Sequence, residues 1–549
     1  MALRITNTLA LLLTAAHVFA AESAKGPVAF SLSAAQVEGR TNGLSRRNAD
    51  IPLTNISTVA YLVTLSIGTP GQKVRVVVDT GSDELWVNPS CNSSSSASSG
   101  RSNGVTGVDQ KECLASGRYD PGSSSTSNNL NKSGKIQYAL GSVALDYYND
   151  TVAQPDSGVT LKSLQFGVAR QSEDMYEGIL GLGFAENHNY TTFVSAAAEQ
   201  GAAGGPGKVF SIGLASANEL NAGTLVLGGL DTNRFTGPMM GVPILPPPPS
   251  DTLVRYWVKL DSIGLTGSTV SSSSGTSSGS NNASKTYPNS GAPIVLDTGS
   301  TLSILPFSIL AALAKDLGAS MTQGSRNEYA RLTGRAPDAA VNAAIFPVPC
   351  TALGLGADVH SKENLAGLKR TVDFSFNNGA ALVRVPLSEF AIQITTDMCV
   401  LGGIAMDDGL SSSSSSSSSS GPGTGIPQPD AGATLLLGAT FLRGAYVVYD
   451  QAANSVFMAP YAHCNAGTAN LQPLASAKAG AAAGFTGACS VADSLYGGGA
   501  GGFSAAATAT APSSGDSGED KKNAGGRSSS VSTISLVTAV LSVLALLCT

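Results

Sequence analysis

The stretch Val-Val-Val-Asp-Thr-Gly-Ser at residues 76–82 decides the fold of this 549-residue chain, because it returns almost unchanged later. The second copy, Ile-Val-Leu-Asp-Thr-Gly-Ser, occupies residues 294–300. In each copy an apolar, β-branched run predicts a buried strand, and the glycine after the aspartate predicts a turn. The repeat therefore places Asp79 and Asp297 at the tips of two equivalent strand-to-turn junctions.

A second pair of motifs supports this internal repeat. Gly-Ile-Leu-Gly begins at Gly178, after the first copy, and Leu-Leu-Leu-Gly begins at Leu435, after the second. Short β-like runs separated by glycine turns continue from Tyr61 to about residue 460, and residues 306–317 form the clearest predicted helix. We therefore predict a mostly β protein built from two related halves.

Two aspartates brought together by a pseudo-twofold axis suit one kind of chemistry. Carboxyls about 3 Å apart do not both ionise easily, so they share one proton and titrate as a unit. One carboxylate takes a proton from a water molecule, and the other carboxyl donates its proton to a scissile carbonyl oxygen. Water is the nucleophile in this scheme, so we expect no metal and no cofactor.

With these motifs, the chain resembles the pepsin-like aspartic proteases, and among them the fungal GPI-anchored yapsin-type enzymes. The resemblance covers roughly residues 55–465. It implies a bilobal fold with a cleft between two β-barrel-like lobes, 55–236 and 237–465, and an endopeptidase that hydrolyses peptide bonds of proteins. The alternative is a catalytically inactive pepsin-fold binding or inhibitor protein, and a structural wall protein is a third hypothesis.

The same resemblance assigns roles to individual residues. Asp79 and Asp297 would be the catalytic dyad, with Ser82 and Ser300 as their hydrogen-bonding neighbours and with the two threonines bonding across to the opposite loop. Residues 136–142 resemble the flap hairpin that closes over substrate. The remaining dyad-support, flap and substrate-binding residues implied are Thr80, Gly81, Thr298, Gly299, Trp86, Tyr138, Gly141 and Ser142, with Tyr138 bonding to Trp86.

Some positions depart from the family pattern. Leu140 stands where some fungal relatives carry an acid that accepts lysine, which removes one route to the basic specificity of yapsin-type enzymes. Asp83 and Glu84 offer an alternative source of acid near the cleft, although we favour the interpretation that they form a surface turn. Ala439 replaces an aspartate that relatives often carry after the second apolar-glycine motif.

Both ends carry targeting signals. Residues 1–20 have a basic start, an apolar core and small residues at the exit, which predicts a signal peptide rather than an anchor helix. Residues 21–47 would be a short propeptide ending at a dibasic pair, and 466–523 an Ala/Gly/Ser-rich stalk. The apolar tail predicts GPI attachment at Asn523 with 524–549 removed, the alternative being a retained transmembrane helix.

Because we expect the chain to be secreted, we also expect disulfides and N-linked glycans. Cys548 lies in the tail, and the six remaining cysteines allow 15 disulfide pairings. Pairing of sequential neighbours is the simplest arrangement, and we favour Cys91–Cys113 and Cys350–Cys399. The pairing of Cys464 and Cys489 stays open. The predicted N-glycosylation sites are Asn55, Asn92, Asn131, Asn149, Asn189 and Asn282.

The charge content of the chain limits the classes of partner that it is expected to bind. Charged residues make up only 13% of the chain and the net charge is −6, with no basic patch, which argues against nucleic-acid binding. We therefore expect a monomer that acts on protein or peptide substrates and attaches to the membrane through a GPI anchor. Its expected location is the secretory pathway and then the cell surface, at the plasma membrane or the wall.

Overall fold

The structure is a computed structural model. It describes residues 26–37, 58–88, 114–138, 142–173, 175, 177–202, 207–215, 223–249, 251–267, 284–319, 346–358, 367, 370–393, 398–406, 434–462, 464, 469–474 and 480–490. Several predictions lie outside these residues: the signal peptide, the dibasic pair, Cys91, Cys113, Gly141, Asn55, Asn92, Asn282, Asn523 and the tail.

The first part of the described chain is built almost entirely of strands. Its elements are β1 (Val28–Val37), β2 (Thr58–Ile67), β3 (Gln72–Asp79), β4 (Leu85–Val87), β5 (Asn128–Gln137), β6 (Ser142–Gln154), β7 (Val159–Glu173), β8 (Gly178–Gly181), α1 (Phe193–Glu199), β9 (Val209–Leu214), β10 (Gly223–Leu227), β11 (Gly229–Asp231) and β12 (Met240–Pro243).

The second part repeats this character and contains the predicted helix as α2. Its elements are β13 (Trp257–Thr266), β14 (Ser284–Leu296), β15 (Ser303–Pro306), α2 (Phe307–Asp316), β16 (Pro347–Pro349), β17 (Thr371–Phe376), β18 (Ala381–Pro386), β19 (Ala391–Gln393), β20 (Met398–Leu401), β21 (Gly403–Met406), β22 (Leu436–Leu437), α3 (Ala439–Leu442), β23 (Ala445–Asp450), β24 (Ser455–Pro460) and β25 (Leu471–Pro473). Short 3₁₀ turns lie at Pro121–Ser123, Ala185–Asn187, Thr232–Arg234, Cys350–Leu353 and Ala481–Gly484.

Two large sheets organise the described residues and confirm the mostly β, pepsin-like bilobal fold. One has 13 strands in the order β12-β24-β23-β9-β10-β1-β2-β3-β8-β4-β7-β6-β5, and the other has seven in the order β18-β17-β13-β14-β22-β15-β21. Strands β12, β23 and β24 belong to the sequence assigned to the second lobe but pair within the first sheet. This sheet therefore links the two halves.

The internal repeat is a repeat of local topology. β3 pairs parallel with β8, and β14 pairs parallel with β22, so each aspartate-bearing strand lies beside its own apolar-glycine motif. The next strand in each half, β4 or β15, then pairs antiparallel on the other side of that motif. The same three-strand arrangement thus holds the turn after Asp79 and the turn after Asp297.

The segment expected to be a propeptide contributes a strand to the central sheet. Val28 to Leu32 pair with β10, and the rest of β1 pairs with β2. Phe30 and Leu32 are buried in the main core. The sequence predicted only a propeptide here, whereas the structure shows a strand whose first half pairs with β10 and whose second half pairs with β2.

The packed body also extends beyond residue 465, where the stalk was expected to begin. β25 pairs with β11, the side chains of Leu474 and Ala482 are buried, and Cys464 forms a disulfide with Cys489. This corrects the boundary: small residues pack here because a disulfide and a strand pairing hold them. The expected Cys350–Cys399 disulfide is also present.

Three predicted glycosylation sites lie among the described residues. Asn131 and Asn189 are exposed, whereas Asn149 lies in β6 with its amide oxygen buried. Asn149 is therefore the least accessible of the three. In the same part of the chain, no helix has the length and apolar character that crossing a membrane requires.

Candidate active site

The loops that follow β3 and β14 meet and lock together through their threonines. The backbone N–H of Thr80 donates to Oγ1 of Thr298 at 3.0 Å, and the N–H of Thr298 donates to Oγ1 of Thr80 at the same distance. Each hydroxyl then donates back into the opposite strand, to the carbonyl of Leu296 at 2.8 Å or of Val78 at 2.7 Å. These four buried bonds fix the two loops as one rigid unit.

Glycine in each loop allows the opposite aspartate to approach. A Cβ on Gly81 would lie 2.5 Å from Cγ of Asp297, and a Cβ on Gly299 would collide with the carboxylate of Asp79. Any larger residue would push the carboxyls apart, so the close approach itself requires glycine here. The structure therefore brings together the aspartates, threonines and glycines that the repeat singled out.

The two aspartates receive different hydrogen-bond donors. Oδ1 of each accepts from the N–H of its own glycine, at 2.7 Å for Asp79 and 2.8 Å for Asp297. The hydroxyl of Ser82 also donates to Oδ2 of Asp79. Ser300 does not repeat this contact, because its hydroxyl donates to the carbonyl of Leu302 at 2.9 Å. The expectation that Ser300 bonds to its aspartate is thereby corrected.

The burial of Asp297 beside Asp79 shifts the pKa of its carboxyl. Burial raises its pKa well above the usual range of a carboxyl, and the neighbouring charge and hydrogen bond of Asp79 raise it further. The N–H of Gly299 and the positive charge of Arg255 oppose that rise. Asp297 therefore favours the protonated form, whereas Asp79 accepts hydrogen bonds on both of its carboxylate oxygens.

The sequence comparisons agree with this geometry. The family described as eukaryotic aspartyl proteases matches residues 60–461, well over half of the chain. The chain belongs to this family. It is 30% identical over 403 residues to secreted aspartic protease 8 of Candida albicans, covering 73% of this chain and 75% of that protein.

Two further relatives also carry aspartic protease names. The chain is 29% identical over 419 residues to the probable aspartic-type endopeptidase opsB of Aspergillus fumigatus, covering 74% of this chain and 69% of that protein. It is 28% identical over 414 residues to candidapepsin of Candida tropicalis, covering 74% and 80%. Family and relatives together make this chain an aspartic endopeptidase.

β5 and β6 pair antiparallel, and Tyr138, which follows β5, lies near enough to Asp79 to feel its charge. Nε1 of the buried Trp86 donates to the hydroxyl of Tyr138 at 2.7 Å. Burial raises the pKa of Tyr138, as does the nearby charge of Asp79, so this hydroxyl stays neutral. Ser142 is buried at the start of β6, opposite Gln137. Gly141 lies outside the described residues.

The imidazole of His188 lies against the two acids that follow Ser82, and no motif in the sequence predicts this contact. Nε2 of His188 lies 3.1 Å from Oδ1 of Asp83, and its Nδ1 lies 3.5 Å from Oε1 of Glu84. Oε2 of Glu84 also accepts from the hydroxyl of Tyr147 at 2.9 Å. The hydrogen bond to Asp83 and the two negative charges raise the pKa of His188, although burial opposes this.

Asp83 and Glu84, the two acids after Ser82, are bound by other side chains of the folded chain. Asp83 also accepts from Nδ2 of Asn187 at 2.5 Å, and its side chain is mostly buried. Asp83 and Glu84 therefore have internal partners rather than forming the plain surface turn that the sequence allowed. Only residues distant in sequence supply those partners, so inspection of the motif alone could not have found them.

Ala439 keeps a backbone contact to the loop after β14. It is fully buried at the start of α3, and its N–H donates to the carbonyl of Ser300 at 2.8 Å. The next residue, Thr440, donates from its hydroxyl to the carbonyl of Gly402 at 2.6 Å. The backbone contact to the second loop is thus kept although the aspartate common in relatives is absent.

Proposed function

We propose that Asp79 and Asp297 are the catalytic dyad of this endopeptidase and that they hydrolyse peptide bonds by activating water. The observation that carries the proposal is the reciprocal threonine lock, which brings two carboxyls into one hydrogen-bonded pair and leaves Asp297 with a raised pKa. Such a pair holds one proton across the acidic range, which supplies a base and an acid in the same site.

The unequal donors suggest how the roles divide. Asp79, with donors on both carboxylate oxygens, is the base that accepts a proton from the attacking water. Asp297 is the acid that donates its proton to the scissile carbonyl oxygen as the water oxygen bonds to the carbonyl carbon. Collapse of the resulting diol returns a proton to Asp297, the C–N bond breaks, and the departing nitrogen takes the proton held by Asp79.

The flap role of Tyr138 rests on its position directly after β5, which pairs antiparallel with β6. Its hydroxyl is tied to Trp86 and its ring packs in a small cluster with Val143 and Leu145. A hairpin anchored in this way can cover a bound peptide and exclude water from the reacting bond, which strengthens the electrostatic interactions within the site. Protein or peptide segments in an extended conformation are the substrates we propose.

Cleavage of a denatured protein at acid pH tests the catalytic assignment. Asp79→Asn and Asp297→Asn should each lower kcat by several orders of magnitude, because either change removes a group that moves a proton in the reaction. Asp156→Asn, at an exposed aspartate in the turn between β6 and β7, is the matched control and should keep full activity. Turnover that survives in both dyad variants would refute the assignment.

We also propose that the enzyme is exported and held at the cell surface by a GPI anchor at Asn523, as a yapsin-type protease. The support is the signal-like start, the apolar tail and the word "secreted" in the name of one relative. Release from intact cells by a phosphatidylinositol-specific phospholipase would support the anchor. Retention in the membrane after that treatment would favour a transmembrane tail.

Basic specificity is the weakest part of a yapsin-type assignment. Leu140 lacks an acid, and the carboxylates of Asp83 and Glu84 already bind His188, Asn187 and Tyr147. We therefore propose a preference that does not depend on lysine or arginine at the cleaved bond. Profiling with a peptide library tests this, and dense cleavage after basic residues would overturn it.

A further inference from the structure

Arg255 reaches the first loop from the segment that precedes β13. Its Nε lies 2.9 Å from Oδ2 of Asp251, and its Nη1 donates to the carbonyl of Gly81. Both side chains of this ion pair are mostly buried, with exposed fractions of 26% for Arg255 and 13% for Asp251. A guanidinium can serve both partners at once because its donors form a planar fork.

The backbone beside Arg255 is held as well. The N–H of Val254 donates to Oδ1 of Asn187 at 3.0 Å, and Nδ2 of Asn187 donates to the Val254 carbonyl at 2.9 Å. Asn187 also donates to Asp83 in the first loop. The guanidinium therefore starts from a fixed backbone and ends on a fixed partner, so its position beside the loop is well defined.

Arg255 contacts the loop after Asp79 through the backbone of Gly81. Its N–H donates to Oδ1 of Asp79, and its carbonyl accepts from Arg255, so both of its backbone groups are engaged. Gly81 also lies against the carboxyl of Asp297. A rotation of this peptide would move the donor away from one aspartate and disturb the contact with the other.

Arg255 also brings a permanent positive charge to the two carboxyls. A guanidinium keeps its proton throughout the pH range in which carboxyls titrate. Its charge lowers the pKa of Asp297, against the burial and the Asp79 charge that raise it. Removing the charge would leave Asp297 protonated to a higher pH.

We propose that Arg255 is a positioning residue of the active site, which holds the Gly81 peptide beside Asp79 and limits the pH range over which the pair keeps its shared proton. The inference rests on the proposed function of the two aspartates. Its sequence context shows no motif, since the contact joins residues 174 positions apart.

The test compares pH profiles of kcat and kcat/KM for the purified full-length protein and three variants. Arg255→Gln removes the charge and Arg255→Lys keeps it while losing the fork. Lys259→Gln is the control, because it removes a positive charge that pairs instead with Asp261, two residues along the same strand β13. We expect the alkaline limb of Arg255→Gln to move to higher pH by roughly half a unit to one unit.

The other variants separate charge from positioning. Arg255→Lys should keep the wild-type alkaline limb but lower kcat, because the Gly81 carbonyl loses a rigid donor, and Lys259→Gln should match the wild type in both respects. If the limb of Arg255→Gln coincides with that of an active wild type, the inference fails while the proposed dyad stands. A wild type without activity would refute both.

Discussion

The loop after β3 and the loop after β14 share a sequence and a topology, yet they differ in what surrounds each carboxyl. Asp79 accepts from Ser82, and its loop is held from outside by His188 and Arg255. Ser300 instead donates to the carbonyl of Leu302. The two loops thus share a symmetric threonine lock, while the contacts around it give the two aspartates different surroundings.

Substitution of either loop threonine should have the largest effect on stability, because the threonine bonds are the same in both loops. Thr80→Val and Thr298→Val each remove a buried hydroxyl and leave an N–H and a carbonyl of the opposite loop without a partner. Each change should lower the free energy of unfolding by about 3 kcal/mol. Chemical denaturation of the two variants measures this, and similar losses are expected because the bonds are reciprocal.

A matched surface threonine provides the control for this pair. Thr191 is exposed, and Thr191→Val should change the free energy of unfolding little. A large loss in only one of the two loop variants would show that the threonine lock is not shared equally between the halves.

Substitutions of Ser82 and Ser300 test the hydrogen bonds that differ between the two loops. Ser82→Ala removes a donor from Asp79, the carboxylate proposed to act as base, and kcat should fall by about 100-fold. Ser300→Ala removes a bond to a backbone carbonyl, and kcat should stay near that of the wild type. Steady-state kinetics at acid pH distinguish the two variants. Equal losses would mean that the loops do not divide the roles as their hydrogen bonds suggest.

A smaller, pH-dependent effect is expected at His188. Its imidazole faces Asp83 and Glu84, contacts the ring of Tyr190, and has a raised pKa in the folded protein. A raised pKa stabilises the fold fully below the unfolded value of about 6.5, and this contribution is lost as pH rises through the folded pKa. The first loop is thereby supported best under acid conditions.

His188→Gln should therefore destabilise the protein at pH 5 by about 1.5 kcal/mol, the size of a charge-assisted hydrogen bond, and by less at pH 8. Denaturation curves at the two pH values measure the difference. Asn187 and Tyr147 stay in place as partners of the two acids, so the variant should still fold. An equal loss at both pH values would contradict the role assigned to the imidazolium.

Much of this site could be predicted because its parts are local motifs. The strand that ends in each aspartate, the glycine that follows it and the second apolar-glycine motif are all periodic or repeated signals. The threonine lock and the bond from Trp86 to Tyr138 then follow from the resemblance to pepsin-like enzymes. Both were expected from the sequence and both are present.

What the sequence could not supply depends on contacts between distant residues. Arg255 and His188 lie far from Asp79 along the chain and carry no motif, so only the packed structure reveals them. The packing of the segment around Cys489 was not predicted for a related reason. Polar or small-residue composition predicts exposure on average, but strand pairing and a crosslink can override it.

The central claim is that the two carboxyls share one proton and that Asp297 carries it. Neutron diffraction from crystals held near pH 5 would locate that proton directly. The account predicts density for one proton on the Asp297 carboxyl, within the hydrogen bond to Asp79, and none on the oxygens of Asp79. A proton on Asp79 with Asp297 bare, or a pair without any proton, would contradict it.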